Sequence, residues 1–286
     1  MEKQLEFIWQ SMLFMTAGLV LFIIAKVIYH LFNSSTKVAH QLTEEDNLAY
    51  FIAYIGYFLG ILMVIGGVMM SEGSGSFWTE LTYTFIYGLI GMISLNLGAL
   101  FIDKVVHPKT SLKDEIINNK VVSLGILKGV NYLSTGIITG GVLLTEVDKP
   151  FQAIIFLTAA LVVASLGTLY YNIITPFNIN KYILGGNIAV ALSTAGAQIA
   201  FAILIYSGFQ LYHTDWLTSM KSVGIDMIGG FIMLPVIRLV VDKVYLPNHS
   251  LTDEMINQET PNIGAGLFEG ASYVAGSLLF VWCWNL

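Results

Sequence analysis

The chain has 286 residues, 56% of them hydrophobic and only 11% charged, where an ordinary soluble domain carries about 25% charged residues. The net charge of −6, from 13 Lys+Arg against 19 Asp+Glu, offers no basic face to a phosphate backbone, which excludes nucleic acid as a partner. A single cysteine, Cys283, excludes an internal disulfide and any zinc site built on several thiolates.

In chain order, apolar runs predict eight membrane-spanning helices over 8–32, 48–70, 78–102, 121–144, 151–173, 187–210, 219–241 and 262–284. Each is long enough to cross about 30 Å of hydrocarbon at 1.5 Å per residue. The leading segment MEKQLEFIWQ carries one Lys beside two Glu, and no small-residue cleavage site follows it. The first run therefore reads as a retained span. Open sheets are excluded, because their edge groups would be unpaired in lipid. The chain is thus all-α and polytopic, with the lipid bilayer as its first partner.

Connectors after spans one, three, five and seven carry Lys26, Lys37, Lys104, Lys109, Lys113, Lys120, Lys181, Arg238 and Lys243, whereas the other side carries Lys3, Lys149 and Lys221. That asymmetry predicts cytoplasmic odd-numbered connectors and both termini outside. Trp9, Trp78, Trp216, Trp282 and Trp284 fall near the predicted outer boundary, as an interfacial belt requires.

An internal repeat organises the rest. DKVVHPKTSLKDEIIN from Asp103 and DKVYLPNHSLTDEMIN from Asp242 agree at ten of sixteen positions, at an offset of 139. Upstream, Asn47-Leu-Ala aligns with Asn187-Ile-Ala and Gly56 with Gly196; downstream, Gly125-Ile-Leu-Lys-Gly129 aligns with Gly266-Leu-Phe-Glu-Gly270 and Tyr132 with Tyr273. Two four-span units follow, 1–146 and 147–286. Four spans is an even number, so both units enter the membrane from one side, and the expected relation is a pseudo-two-fold along the membrane normal.

The order of Asn-x-Ala opening span two, Asp closing span three, an acidic connector and a small-residue-rich span four resembles the bacterial membrane family called domain of unknown function 350. Two tandem copies would cover nearly the whole chain. The matching positions are Asn47, Asn187, Asp103, Asp242, Glu115, Glu254, Asn118 and Asn257. The resemblance implies a multi-pass protein of a bacterial inner membrane and brings no biochemical activity with it. The first copy departs from the second at Lys128, where the second has Glu269.

Ionisable groups within spans are the candidates for function, since a charge at a helix centre costs about 2.5–3.5 kcal/mol on insertion scales. Lys128 and Glu269 occupy equivalent places in Gly-x-x-x-Gly frames, Gly125/Gly129 and Gly266/Gly270, whose small residues permit close helix approach. Equal depth and opposite sign suggest an ion pair between spans four and eight. Such a pair is either structural or gated on an ion or proton path, and the remaining reading is a snorkelling lysine. Asp226 aligns with Tyr87 and lies near Gly229-Gly230, nine residues before Pro235. It is either a cation- or proton-binding carboxylate beside freed carbonyls, or an acid bonded to a neighbouring span or neutralised in low dielectric.

Arg238 and Asp242 stand four apart, which suits a local salt bridge. In the connectors, Ser111 and Ser250 read as helix caps, with Asp114/Glu115 and Asp253/Glu254 in the first turn. Asp103, Lys104, Asp242, Lys243 and Arg238 lie at the cytoplasmic ends of spans three and seven and read as interface anchors, whereas the four connector carboxylates would either brace the fold or dock a cytoplasmic protein. Asn96, Asn131, Ser134, Thr135, Thr139, Asn172, Ser193, Thr194 and Gln198 read as interhelical glue. His30, His40, His107, His213 and His249 lack metal-ligand spacing, and no G-x-x-x-x-G-K-[ST], H-E-x-x-H or G-x-S-x-G occurs. The expectation is a non-enzyme with no metal and no cofactor. The leading reading is a transporter or channel for an ion, proton or small solute; the alternative is a scaffold or envelope-stress component. Homo-oligomerisation is left open.

Overall fold

The computed structural model describes residues 2–33, 37–71, 76–106, 111–146, 150–210 and 216–284. Lys109, Lys149, His107, His213 and the boundary drawn after residue 146 lie outside or at the edge of the described residues. Among those residues every regular element is helical. They form α1 (Glu2–Phe32), α2 (Val38–Thr43), α3 (Leu48–Met69), α4 (Phe77–Val106), α5 (Leu112–Ile117) and α6 (Val122–Glu146). The second half repeats this as α7 (Pro150–Ile174), α8 (Ile179–Leu184), α9 (Ile188–Gln210), α10 (Trp216–Val240) and α11 (Ile263–Trp284). Two π-helical segments, Val241–Tyr245 and Asp253–Asn257, stand between α10 and α11.

The eight long helices coincide closely with the eight expected spans, apart from an earlier start of α1. Seven of them, rather than eight, are both long and apolar enough to cross a membrane. The exception is α6, with 25 residues. Its polar residues lower its hydropathy, and α3, α4, α7 and α9 pack around it. A helix enclosed by protein needs no lipid-compatible surface, so composition undercounts it. The exposed Trp9 and Trp78 mark one end of the bundle, where Trp9 meets Phe77 at 5.0 Å between ring centroids.

The repeated Asn-x-Ala motif has a direct cause. Asp46 and Gly186, which precede it, adopt left-handed backbone with φ of 45° and 87°, a conformation open to Gly and tolerated by Asp. Each Asn then does two things. Asn47 accepts from Tyr50 N at 3.0 Å and donates to Ile116 O at 2.9 Å; Asn187 accepts from Val190 N at 3.0 Å and donates to Met255 O at 2.8 Å. One side chain caps a long helix and ties down the distant acidic connector. Those connectors form the expected short helices, α5 and the Asp253–Asn257 segment. Ser250 Oγ accepts from Asp253 N at 3.4 Å as a cap should, whereas Ser111 Oγ turns to Asp114 Oδ2 at 2.5 Å and caps no backbone group.

Small residues set the packing, but between different helices from those expected. Gly125 and Gly129 lie against the backbone of Ala49, Ile52 and Gly56 on α3; Gly266 and Gly270 lie against Ala189, Leu192 and Gly196 on α9. The α3–α6 and α9–α11 pairs are therefore the same contact made twice. In place of the expected meeting of spans four and eight, each of α6 and α11 packs extensively on α9, and no comparable packing joins α6 to α11 among the described residues.

The relation between the halves also differs from expectation. In the first half α6 packs on α9, and α4 and α6 pack on α7. A closed two-fold would demand the reciprocal packing of α11 on α3, and of α10 and α11 on α1. No comparable packing exists among the described residues, so the halves join head to tail. Equivalent sequences need not make equivalent interfaces when one tether leads from the end of one copy to the start of the next.

Any side chain at Gly56 or Gly196 would overlap the backbone of Gly129 or Gly270. Gly56→Ala and Gly196→Ala are each expected to cost about 1–3 kcal/mol through overpacking. Gly224→Ala, where an added Cβ meets nothing within 4 Å, should be neutral or stabilising by up to ~1 kcal/mol through helix propensity. Thermal unfolding in detergent checks this, and equal midpoints for all three would refute the packing assignment.

Candidate functional site

Among the described residues each half holds one ion pair between its third and fourth spans, partly buried in the first half and closed around the fully buried Glu269 in the second, and neither joins Lys128 to Glu269. In the first half Lys128 Nζ on α6 pairs with Asp103 Oδ2 on α4. Asn131 Nδ2 donates to the other Asp103 oxygen at 2.6 Å, and Asn131 Oδ1 accepts from Gln198 Nε2 on α9 at 2.7 Å. A polar chain thus crosses from the first half to the second. Lys128 Nζ also sits 4.5 Å from the centroid of the Tyr132 ring, a cation–π contact.

In the second half Glu269 on α11 is fully buried and saturated with donors. Arg238 Nη1 on α10 pairs with Oε1, Tyr273 OH donates to the same oxygen at 2.6 Å, and Ser193 Oγ on α9 donates to Oε2 at 2.5 Å. Ser193 bonds in turn to Tyr171 OH on α7. Arg238 Nη2 reaches Thr252 Oγ1 at 3.2 Å, which brings the acidic connector into the cluster. The two halves therefore use opposite polarity. The first places the acid on its third span and the base on its fourth, and the second reverses them. Loss of the base at the position equivalent to Lys128 is compensated by Arg238, one turn deeper than the equivalent of Asp103.

The expected local bridge between Arg238 and Asp242 is replaced. Arg238 turns to Glu269, because a carboxylate with no solvent contact needs a charged donor. Asp242, freed of that role and set in π-helical backbone, accepts from Leu251 N at 2.7 Å and pairs with Lys243 at 2.8 Å. It pins the connector instead. The other connector carboxylates are held locally: Glu115 by Asn119 at 2.7 Å, Asp253 by Asn257 at 2.5 Å and Glu254 by Asn262 at 2.9 Å. These bonds brace the connectors. Nearby and outside the spans, Lys120 hydrogen-bonds Glu45 and holds its carboxyl below the ordinary range.

Asp226 stands apart from both pairs. It lies on the face of α10 turned to α9, between Val223, which meets Gly208, and Gly230, which meets Leu204 and Phe201. It has no solvent exposure, and neither carboxylate oxygen has a hydrogen-bond partner among the described residues. The proline nearby does not leave a carbonyl for it. Pro235 removes the helical donor to Phe231 O, and Tyr170 OH on α7 supplies a replacement at 2.8 Å.

A second feature was only partly visible in the sequence. Lys128, Asn131, Thr135 and Thr139 recur at spacings of three and four on buried α6, a single stripe running about 16 Å along the axis at 1.5 Å per residue. Thr135 and Thr139 approach Gly98 and Gly91 of α4. On or next to the stripe, Ser134 Oγ, Thr139 Oγ1 and Gln198 Oε1 are buried without partners among the described residues, as are Asn96 Oδ1 on α4 and Tyr50 OH on α3. Separately, a crevice of about 10 Å³ between α4, α7, α8 and α9 is lined by Val106, Thr168, Asn172 and Thr194, among others, and by no residue of α6. That volume is at the threshold for a single water. The helical spacing was legible, but the crowding of unpaired acceptors required the neighbouring helices.

These features define a polytopic helical membrane protein built from two homologous four-helix halves, each with an ion pair between its third and fourth spans. The chain belongs to the family described as Domain of Unknown Function (DUF350), which matches it twice, over residues 4–143 and 145–284. It is similar to a UPF0719 transmembrane protein of Aquifex aeolicus (strain VF5), at 20% identity over 253 residues, covering 87% of this chain and 90% of that relative. No solved structure matches it.

Double-mutant cycles test the pairing. Removing one partner of a buried pair costs about 3–5 kcal/mol, so Lys128→Met and Glu269→Gln should each destabilise strongly. Asp103→Asn with Lys128→Met, and Arg238→Met with Glu269→Gln, should show coupling of at least about 1 kcal/mol, whereas Lys128→Met with Glu269→Gln should add within about 0.5 kcal/mol. Coupling between Lys128 and Glu269 would reverse the assignment.

Proposed function

We propose that the protein is a non-enzymatic transporter or channel for a proton or small cation in a bacterial inner membrane, with the repeated connectors on the cytoplasmic side. The carrying observation is the polar stripe on α6, on or next to which Ser134, Thr139 and Gln198 keep buried groups without partners among the described residues. Each such group costs about 1–3 kcal/mol if left dry, and a file of waters or a passing cation would supply the missing bonds. The Asp103–Lys128 pair lies at one end of the stripe and responds to charge moving along it. Asp226 supplies a second buried acid, on the side of α9 that faces α10.

A second reading, a scaffold that recruits a cytoplasmic partner through the connectors, draws on the full burial of Glu269 and Asp226. The local bonding of the connector carboxylates supports it less. Flux measurements in proteoliposomes decide between the two. Thr139→Val and Asp226→Asn should each lower proton or cation flux at least about tenfold, the equivalent of roughly 1.4 kcal/mol on the barrier, with unfolding midpoints near wild type, and Asn131→Leu should lower flux likewise while also destabilising the fold by about 1–3 kcal/mol through its lost bonds to Asp103 and Gln198. Unchanged flux in all three would remove the transport reading. Pull-down of a soluble protein that is lost on charge reversal of Asp114, Glu115, Asp253 and Glu254 would then establish the scaffold.

A further inference from the structure

The head-to-tail joint between the halves leaves its two faces unused at the ends of the molecule. Within the chain, the outer face of α6 is covered by α9. Its equivalent on α11 is bare: Leu127 is 1% exposed and Phe268 43%; Ile138 is 0% and Leu279 59%. The covered face of α9 has a bare equivalent on α3 as well, where Leu62 is 49% exposed against 0% for Ala202. One molecule thus carries both halves of an interface that it has already formed once internally.

Residue sizes along the two faces support the match. In the internal joint Gly141 of α6 lies against the ring of Tyr206 on α9, close enough that an added Cβ would stand 2.7 Å from Tyr206 Cδ2. The repeat offsets carry Gly141 to Trp282 on α11 and Tyr206 to Gly66 on α3. Small and large are exchanged. Trp282 is 65% exposed, and a Cβ added at Gly66 meets nothing within 4 Å, so a large side chain on one end is matched by an open position without a side chain on the other. The polar pair Asn131–Gln198 becomes Ser272 and Phe58. Ser272 already donates to Phe268 O at 2.8 Å, so it can be buried without an unpaired hydroxyl.

We propose that the occupant of both faces is a second copy of this chain, joined through α11 of one molecule and α3 of the next, with Trp282 seated at the open position of Gly66. The contact repeats the α6–α9 joint. Both halves cross the membrane in the same sense, so the operation that relates them keeps its axis along the membrane normal. A heterologous contact of that kind propagates until it closes as a ring or runs on as an arc in the membrane plane. The interface is formed by the lipid-exposed helices and does not depend on the transport reading.

Disulfide trapping in native membranes tests this, in a Cys283→Ser background. Trp282→Cys with Gly66→Cys on one chain should give a ladder of covalent oligomers on oxidation, whereas two singly substituted chains expressed together should stop at the dimer. The internal pair Gly141→Cys with Tyr206→Cys, which should close within the monomer, reports that the fold and the oxidation are sound. With that control closed, absence of the ladder overturns the proposal. Equal dimer formation by either single variant alone also overturns it, since that is the mark of a two-fold or collisional contact. Gly66→Tyr should convert the assembly to monomers in nanodiscs, and adding Trp282→Gly, which rebuilds the Gly141–Tyr206 arrangement, should restore it. Failure of the second change to restore assembly counts against the proposed register.

Discussion

The close backbone approach of α3 to α6, and of α9 to α11, underlies the rest of this structure. Glycine at positions 56, 125, 129, 196, 266 and 270 lets the chains meet with no side chain between them. In a bilayer, apolar burial offers little drive for helix association, so packing and interhelical hydrogen bonds carry it. The close contact also fixes helix rotation. Once α6 is seated on α3, Lys128 meets Asp103 on α4 and Asn131 bridges Asp103 to Gln198 on α9; once α11 is seated on α9, Glu269 meets Ser193 and Arg238. Charge compensation is therefore a consequence of small-residue packing.

The second constraint is the intolerance of hydrocarbon for unpaired polar groups. The chain meets it by several local devices: Asn47 and Asn187 serve a helix cap and a connector at once, Tyr170 takes the carbonyl that Pro235 frees, and Glu269 gathers three donors. Against such thorough pairing, Asp226 and the acceptors along α6 are exceptions. Tyr50 OH on α3 and Asn96 Oδ1 on α4 are further buried groups without a partner among the described residues, and each such group is a place where water would supply a missing bond.

The two halves show how a duplicated unit diverges while keeping its frame. Connector motif, helix caps and glycine contacts are common to both. The ion pairs are not: their polarity is reversed, and the base of the second half sits one turn away from the position of the first half's acid. The joint between halves breaks the equivalence further, since α6 becomes an enclosed central helix whereas α11 stays at the edge. That difference of environment explains why α6 alone among the long helices is too polar to be recognised as a span by hydropathy.

Sequence alone determined the helical class, the eight long helices, the repeat and its offsets, and three of the intramembrane charges, Lys128, Asp226 and Glu269, because each follows from local composition or from comparison of the chain with itself; it read their partners Asp103 and Arg238 as groups at the span ends. It located Asn47, Asn187 and the acidic connectors correctly as repeated features. It paired Lys128 with Glu269 and Arg238 with Asp242 wrongly, since equal depth in a repeat or spacing along one helix says nothing about which helices are neighbours. Tertiary structure decided those partners, the head-to-tail joint and the isolation of Asp226. Each depends on which face of a helix meets which other helix, and in a membrane that choice is set by side-chain volume summed over whole faces, a property no single residue carries.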